Sequence, residues 1–347
     1  MKKIACYICS FTLSFYSCVQ ETPSAQMTVS NQIEGKKIAS LETFKINAYT
    51  GAIAKHGNIL AINQHDRAAG LTFWDLNRQK ENSCSLSSPE TSGFQITNLS
   101  ADRNGLFSVT DLHAKCIYEV LPQAQMSKSS TWVTSTSSTP VAIGVAKEGV
   151  SIISAQKDHF IVSTGLYAKG RYRLYNSDSR EENFFLTYPL HPDYPEISEY
   201  TKSILYASSI LHFHPEEHLF ACADMNSGLL DICLIKQNRI ELVCRHQFYF
   251  PKVHITGNNV AYLKDYGYGF SSMSVSKRYI YVLHGGPAPE SKIMNNTLLV
   301  FDWDGKLCRQ SQVKQTLKAI TFDKTNDTLY GLSDDAELLE LLKEDQL

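Results

Sequence analysis

The chain has 347 residues, a formal net charge of −2, 43% hydrophobic and 11% aromatic side chains: enough apolar mass for a large core, close to neutrality. It has no run of lysine or arginine, so the basic field that nucleic-acid binding requires is missing, and no nucleic-acid partner is expected. After the first residues no stretch approaches the ~20 apolar residues of a spanning helix, so the body is expected to be tethered to a membrane, not embedded in it.

The N-terminus reads as an address. Lys2 and Lys3 precede an apolar stretch over residues 4–16, of signal-peptide length, and Ser17 then places a small residue before Cys18. Residues 1–17 are therefore expected to be a signal peptide and Cys18 a lipidated residue, as at a bacterial lipoprotein cleavage site. Ordinary secretory cleavage after Ala25 is the other reading. Acyl chains on Cys18 would hold the chain by burying methylenes, at about 0.8 kcal/mol each. Residues 18–40, polar and carrying Pro, Gly and Ser, suit a lipid-attached flexible tether. Loss of the leader's two lysines takes the formal charge to −4. The expected location is the cell envelope. Glu21 is the one acidic residue close behind Cys18, which favours the periplasmic side over the outer surface.

From residue 54 a pattern returns six times: a polar turn flanked by short apolar runs. The copies are AKHGNILAINQ (54–64), ADRNGLFSVTD (101–111), AQKDHFIVSTG (155–165), HPEEHLFACAD (214–224), SVSKRYIYVLHG (274–285) and FDKTNDTLYGLSD (322–334). Aligned on Ile59, Leu106, Phe160, Leu219, Ile280 and Leu329, they are spaced by 47, 54, 59, 61 and 49 residues. A further strand-like run follows each copy: 71–77, 115–121, 172–178, 229–236, 298–305 and 337–343. Several copies add a fourth, such as 184–190 and 240–250. Four short strands per unit, separated by Asn, Asp, Gly and Ser, cannot cover both faces alone, whereas packing around a ring does so. The expected fold is all-β: a six-bladed β-propeller over 41–347, closed by an N-terminal strand at 41–49. A β-sandwich or a pair of barrels is the competing architecture. ELLELLKED at 337–345 has a helix-like composition but occupies a third-strand slot, and is read as a strand.

Nine cysteines become six once Cys6, Cys9 and Cys18 go to the leader. Cys222, Cys233 and Cys244 lie eleven residues apart, a spacing that fits neighbouring strands. Neither their spacing nor that of Cys84, Cys116 and Cys308 matches a zinc pattern. Free thiols, or one disulfide within the first three, both fit.

The six turn-plus-strand units, the lipoprotein-like leader and the overall length resemble the TolB-like six-bladed propeller lipoproteins of Bacteroidetes. LKAITFDKTNDTLYGL (317–332) is similar to a propeller unit of that group. FHPEEHLFACA (213–223) resembles the apolar-x-Pro-Asp-Gly turn of TolB repeats, with Glu216-Glu217 in place of Asp-Gly. The resemblance implies a cell-envelope propeller, and not a particular chemistry.

By analogy with other propellers, the face carrying the second-to-third-strand loops and the interblade segments is expected to hold a site. That selects His65, Asp66, Arg67, Asp111, His113, Lys169, Arg171, Asp224, Asn226 and His284, with Asp265, Tyr266 and Tyr268 from the segment 262–270. Two loops there, 187–202 and 284–296, are long and aperiodic. His212, His214 and His218 form a weaker group, explained by turn chemistry better than by a metal. No dinucleotide fingerprint or nucleophile elbow is present, and no cofactor, metal or catalytic residue is assigned. The favoured function is a non-enzymatic envelope lipoprotein binding a protein partner or small ligand through the loop face. The alternative is a hydrolase or lyase acting on a carbohydrate or lactone through Asp66, Asp111, Asp224 and Asp265.

Overall fold

The computed structural model describes residues 19–20, 31–41, 50–64, 71–84, 95–123, 133–136, 140–263, 268–286 and 296–347. The expected leader and Cys18 lie outside them.

Six four-stranded antiparallel sheets follow one another. Blade one comprises Thr50–His56, Ile59–Gln64, Leu71–Asp75 and Lys80–Cys84. Blade two comprises Ile96–Ala101, Phe107–Asp111, Cys116–Gln123 and Val133–Thr136, and Val141–Ala142 also pairs with its third strand. Blade three runs Val150–Lys157, Phe160–Leu166, Tyr172–Asn176, Glu182–Phe185; blade four Ser209–Phe213, Leu219–Asp224, Leu229–Lys236, Arg239–Gln247. Blade five runs Tyr268–Val275, Tyr279–Gly286, Thr297–Asp302, Leu307–Val313. In blade six, Leu317–Asp323, Thr328–Ser333 and Glu337–Lys343 are joined by an antiparallel Lys36–Ser40.

The first strands of successive blades touch in order, and that of blade six touches that of blade one. The sheets thus form a ring, not two stacked layers. Each seam carries its own apolar cluster. Phe73 meets Phe107 edge-on at 5.2 Å between blades one and two, and Tyr172 meets Phe220 at 5.3 Å between three and four. Tyr281 stacks on Phe322 at 5.4 Å between five and six. The seam of blades six and one packs Leu332 and Leu338 against Ile53, Leu60 and Trp74. Ile117 with Ile161 fills the seam of two and three, and Ala223 with Val282 that of four and five. A second strand is therefore covered on both faces. That is why FIVSTGL, LFACAD and TLYGLS read as near-continuous apolar runs without alternation.

Several expectations need correction. The outermost strand of blade six is Lys36–Ser40, five residues before the expected segment, of which only Leu41 is described. Residues 31–40 are accordingly not tether. Asn31–Ile33 lies parallel on Leu307–Val313, and Ile33, Ala39 and Leu41 are buried. The loop 187–202 is not aperiodic throughout, because helix α1 (Glu199–Leu205) starts in it, capped by Ser198, whose hydroxyl accepts the Thr201 N–H at 3.1 Å. An unforeseen hairpin, Val253–Thr256 with Asn259–Tyr262, packs with α1 over Tyr188, Tyr206 and Leu229. ELLELLK is a strand, as its slot demanded.

Cys222, Cys233 and Cys244 occupy the second, third and fourth strands of blade four. Their partners across the sheet are Asp231, Phe220 and Ile232, so no two thiols face each other. These three, with Cys116 and Cys308, are not disulfide-bonded.

Candidate functional site

The turns joining first to second strands converge on one mouth of the ring. Four of the six are fastened by a side chain at their start. Asp102 Oδ1 accepts the N–H groups of Asn104 and Leu106, both at 2.8 Å, and Asp323 Oδ1 accepts that of Thr325 at 3.0 Å. Ser276 Oγ accepts from Arg278 and Tyr279 at 3.2 and 2.9 Å. His214 Nδ1 accepts from Glu216 and Glu217 at 3.1 and 2.8 Å, which leaves Nε2 as the donor to the Lys277 carbonyl at 2.8 Å. The residue after the fastener is Arg103, Lys324, Lys277 or Pro215. All four line a crevice of about 240 Å³.

Beside it a cavity of about 440 Å³ opens at the ring axis. Its walls include Leu106, Ile117, Leu211, Phe213 and Val275, and its rim carries Lys157, Lys324, Asp102 and Asp158. The Lys324 ammonium crosses from blade six to donate to the Ala101 carbonyl at 2.8 Å in blade two. Lys157 donates to the Pro215 carbonyl at 2.5 Å in blade four. Neither meets a carboxylate within ion-pair distance among the described residues. Burial pulls Lys324 down to about 8; the carboxylate of Asp102 opposes this, and Lys157 and Arg103 reinforce it. His212, facing the same space, is lowered to about 4 by burial and then by the charge of Lys324, so its imidazole is neutral at pH 7. The other bases of this mouth are matched. Lys55 pairs with Asp323 at 2.5 Å, buried between blades one and six. Lys277 and Arg103 reach Glu216 at 2.7 and 3.4 Å, and Arg278 reaches Glu344 at 3.1 Å.

The opposite face holds those of the residues nominated from sequence that are described. His65, Asp66, Arg67, Asp265 and Tyr266 lie outside the described residues, and Tyr268 begins the first strand of blade five. Asp111 is buried as a turn fastener, accepting the N–H of His113 at 2.9 Å, while His113 itself is exposed. Lys169 pairs at the surface with Glu148. Arg171 is fully buried and donates through Nε to Asp231 Oδ2 at 3.0 Å. Asp224, also buried, accepts from the N–H groups of Asn226 and Ser227 and from the Ser227 hydroxyl. Burial pushes Asp224 up to about 6 against the pull of Arg171 and Ser227. His284 is enclosed by Phe248, Tyr249 and Phe270, and burial lowers it to about 4.

The structure brings Arg171 and Asp224 close together, around residues not nominated. Asp231 accepts Arg171, the Tyr172 hydroxyl at 2.8 Å, and two bonds from Arg245 at 2.7 and 2.9 Å. Burial would raise Asp231, but Arg245, Arg171 and Tyr172 overcome it and hold the carboxyl at about 2. The group is closed and self-satisfied. Asp231 sits in LLDICLIK, a charge inside an apolar strand, and that was its signal. The mouth had one too: five of the six turns carry a base, Lys55, Arg103, Lys157, Lys277 with Arg278, and Lys324. His212, His214 and His218 do not converge. His218 contacts Asp158 at 2.9 Å, and no metal-competent cluster occurs among the described residues.

Fold and mouth together define a six-bladed β-propeller with an axial cavity on the side of its first-to-second-strand turns. The family model "TolB-like 6-blade propeller-like" matches residues 111–325, and the chain belongs to that family. No curated protein matches it. Among solved structures it is similar to the RRP9 WD40 repeats, at 9% identity and TM-score 0.46 over 84% of this chain and 79% of that one. It is also similar to the computationally designed Ika8 protein, at 14% identity and TM-score 0.43 over 88% and 99%.

Proposed function

We propose that this chain is a non-catalytic binding propeller of the bacterial cell envelope, a lipoprotein anchored through Cys18, that holds a small ligand at the axial mouth. One observation carries the binding reading: the roomy cavity lies where turns from separate blades converge, with polar groups set in an apolar wall. Of the four carboxylates nominated for hydrolysis, the two described ones, Asp111 and Asp224, are spent on their own turns. They offer no pair of free acids for hydrolysis. Envelope anchoring is supported by Lys2, Lys3, the apolar stretch and Ser17-Cys18.

Crosslinking in the native envelope, followed by identification of what is attached, tests the binding reading. A ligand or partner attached at Lys157 or Lys324 supports it, and attachment solely through the opposite face overturns it. Fractionation of a Cys18→Ser variant tests the anchor. Membrane association that survives the substitution removes the lipid from the account.

A further inference from the structure

We propose that the axial cavity binds a small organic oxyanion, a carboxylate or phosphate monoester, with the ammonium groups of Lys157 and Lys324 on its oxygens and the aliphatic wall against its carbon skeleton. This rests on the reading of the mouth as the binding site and names the class of ligand.

Four observations converge. Two half-buried lysines from different blades face one cavity, and among the described residues each is satisfied only by a backbone carbonyl. A charge withdrawn from water in this way is costly unless it finds a counter-charge. The nearby carboxylates are engaged: Asp102 Oδ1 by two turn N–H groups and Oδ2 by the Asn104 amide at 3.2 Å, Asp158 by His218. Glu119, on the cavity wall, is engaged as well. His212 stays neutral beside Lys324, so it neither adds charge nor competes for the anion. Finally, Leu106, Leu211, Phe213 and Val275 give the cavity an apolar side that a bare inorganic ion would leave uncovered.

The test is trace acetylation of lysines on the full chain, read peptide by peptide by mass spectrometry at constant ionic strength. The probes are glucose, gluconate, glucose 6-phosphate, butyrate and inorganic phosphate. We expect the organic anions to protect Lys324 and Lys157 about tenfold at ten times the dissociation constant, with glucose inert and the exposed Lys314 unchanged. The titration midpoint of Lys324 should move up from about 8, because a bound anion favours the ammonium. Gluconate and butyrate against glucose 6-phosphate tell carboxylate from phosphate. K324M, which removes the charge and keeps the stem, should fold and lose the anion-induced rise in unfolding temperature, while K324R keeps part of it.

Equal protection by glucose leaves the site reading standing and overturns the oxyanion. Inorganic phosphate matching the organic anions overturns the role of the apolar wall. No protection and no thermal response with any probe overturns both readings. K324M that unfolds at a lower temperature yet still responds to anions makes Lys324 a strap for the Ala101 carbonyl and overturns the assignment.

Discussion

Two basic clusters lie in this ring, and they differ in how their charge is met. In the seam of blades three and four, Arg171 and Arg245 close on Asp231 with the Tyr172 hydroxyl beside them, and the side chains of Arg171 and Asp231 are wholly buried. At the axial mouth, Lys157 and Lys324 end on carbonyl oxygens beside an open cavity. The first is complete without a ligand and acts as a fastener. The second is incomplete, and the incompleteness is what marks a site. Charge count alone would not separate them; the partner of each charged atom does.

The sharpest way to break the comparison is to open the closed cluster. D231N leaves two buried guanidinium groups without their anion, and should cost about 3–5 kcal/mol in urea unfolding at pH 7. A loss below about 1 kcal/mol would mean the cluster is solvated. Acid should do the same to the native chain. Asp231 is depressed to about 2, so its stabilisation is present above its ordinary value near 4 and disappears as the pH falls through 2.

Histidine burial comes next. His284 titrates near 4 in the folded chain against about 6.5 when unfolded, so its contribution is full above pH 6.5 and is lost as the pH falls toward 4. H284F should flatten that decline, by up to about 3 kcal/mol between the two limits. Asp224 runs the other way. With its folded value raised to about 6, stability from this carboxyl is greatest below its unfolded value and declines as the pH rises to 6. D224N, which keeps the oxygen that fastens the turn, should remove that opposing slope. Denaturant midpoints at pH 4, 5.5 and 7 read both.

Smaller effects sharpen the contrast. K324M should change stability by less than about 1 kcal/mol, or raise it, because the lost carbonyl contact is offset by release of a half-buried charge. A loss as large as that of D231N would place the two clusters in one class. Lys37–Glu337, an exposed pair at 2.6 Å between Lys36–Ser40 and Glu337–Lys343, sets the baseline. K37A should cost about 0.5 kcal/mol or less.

Much of the ring was legible because its seams bury second strands on both faces, which leaves apolar runs at regular distances. ELLELLK could be read as a strand only from its place in that rhythm. The outermost strand of blade six was misplaced because KKIAS is lysine-rich and shows a burial pattern with three exposed residues, whereas LETFKINAY alternates as an edge strand should. Helix α1 is seven residues long, and its order comes from Ser198 and from packing with a hairpin more than fifty residues on. The bases at the mouth were visible as turn residues. What sequence could not show is that Lys324 reaches over to Ala101 and leaves its charge unmatched.

The thiols of blade four carry a consequence of their own. They sit on adjacent strands yet out of register, and burial raises Cys222 and, more strongly, Cys233, so they are poor nucleophiles toward oxidants. The wheel is held by interdigitated side chains without a covalent staple among these residues. Adding or withdrawing a reductant should leave the packing of blade four where it was, because its three thiols are not joined to one another and the two most deeply enclosed resist oxidants.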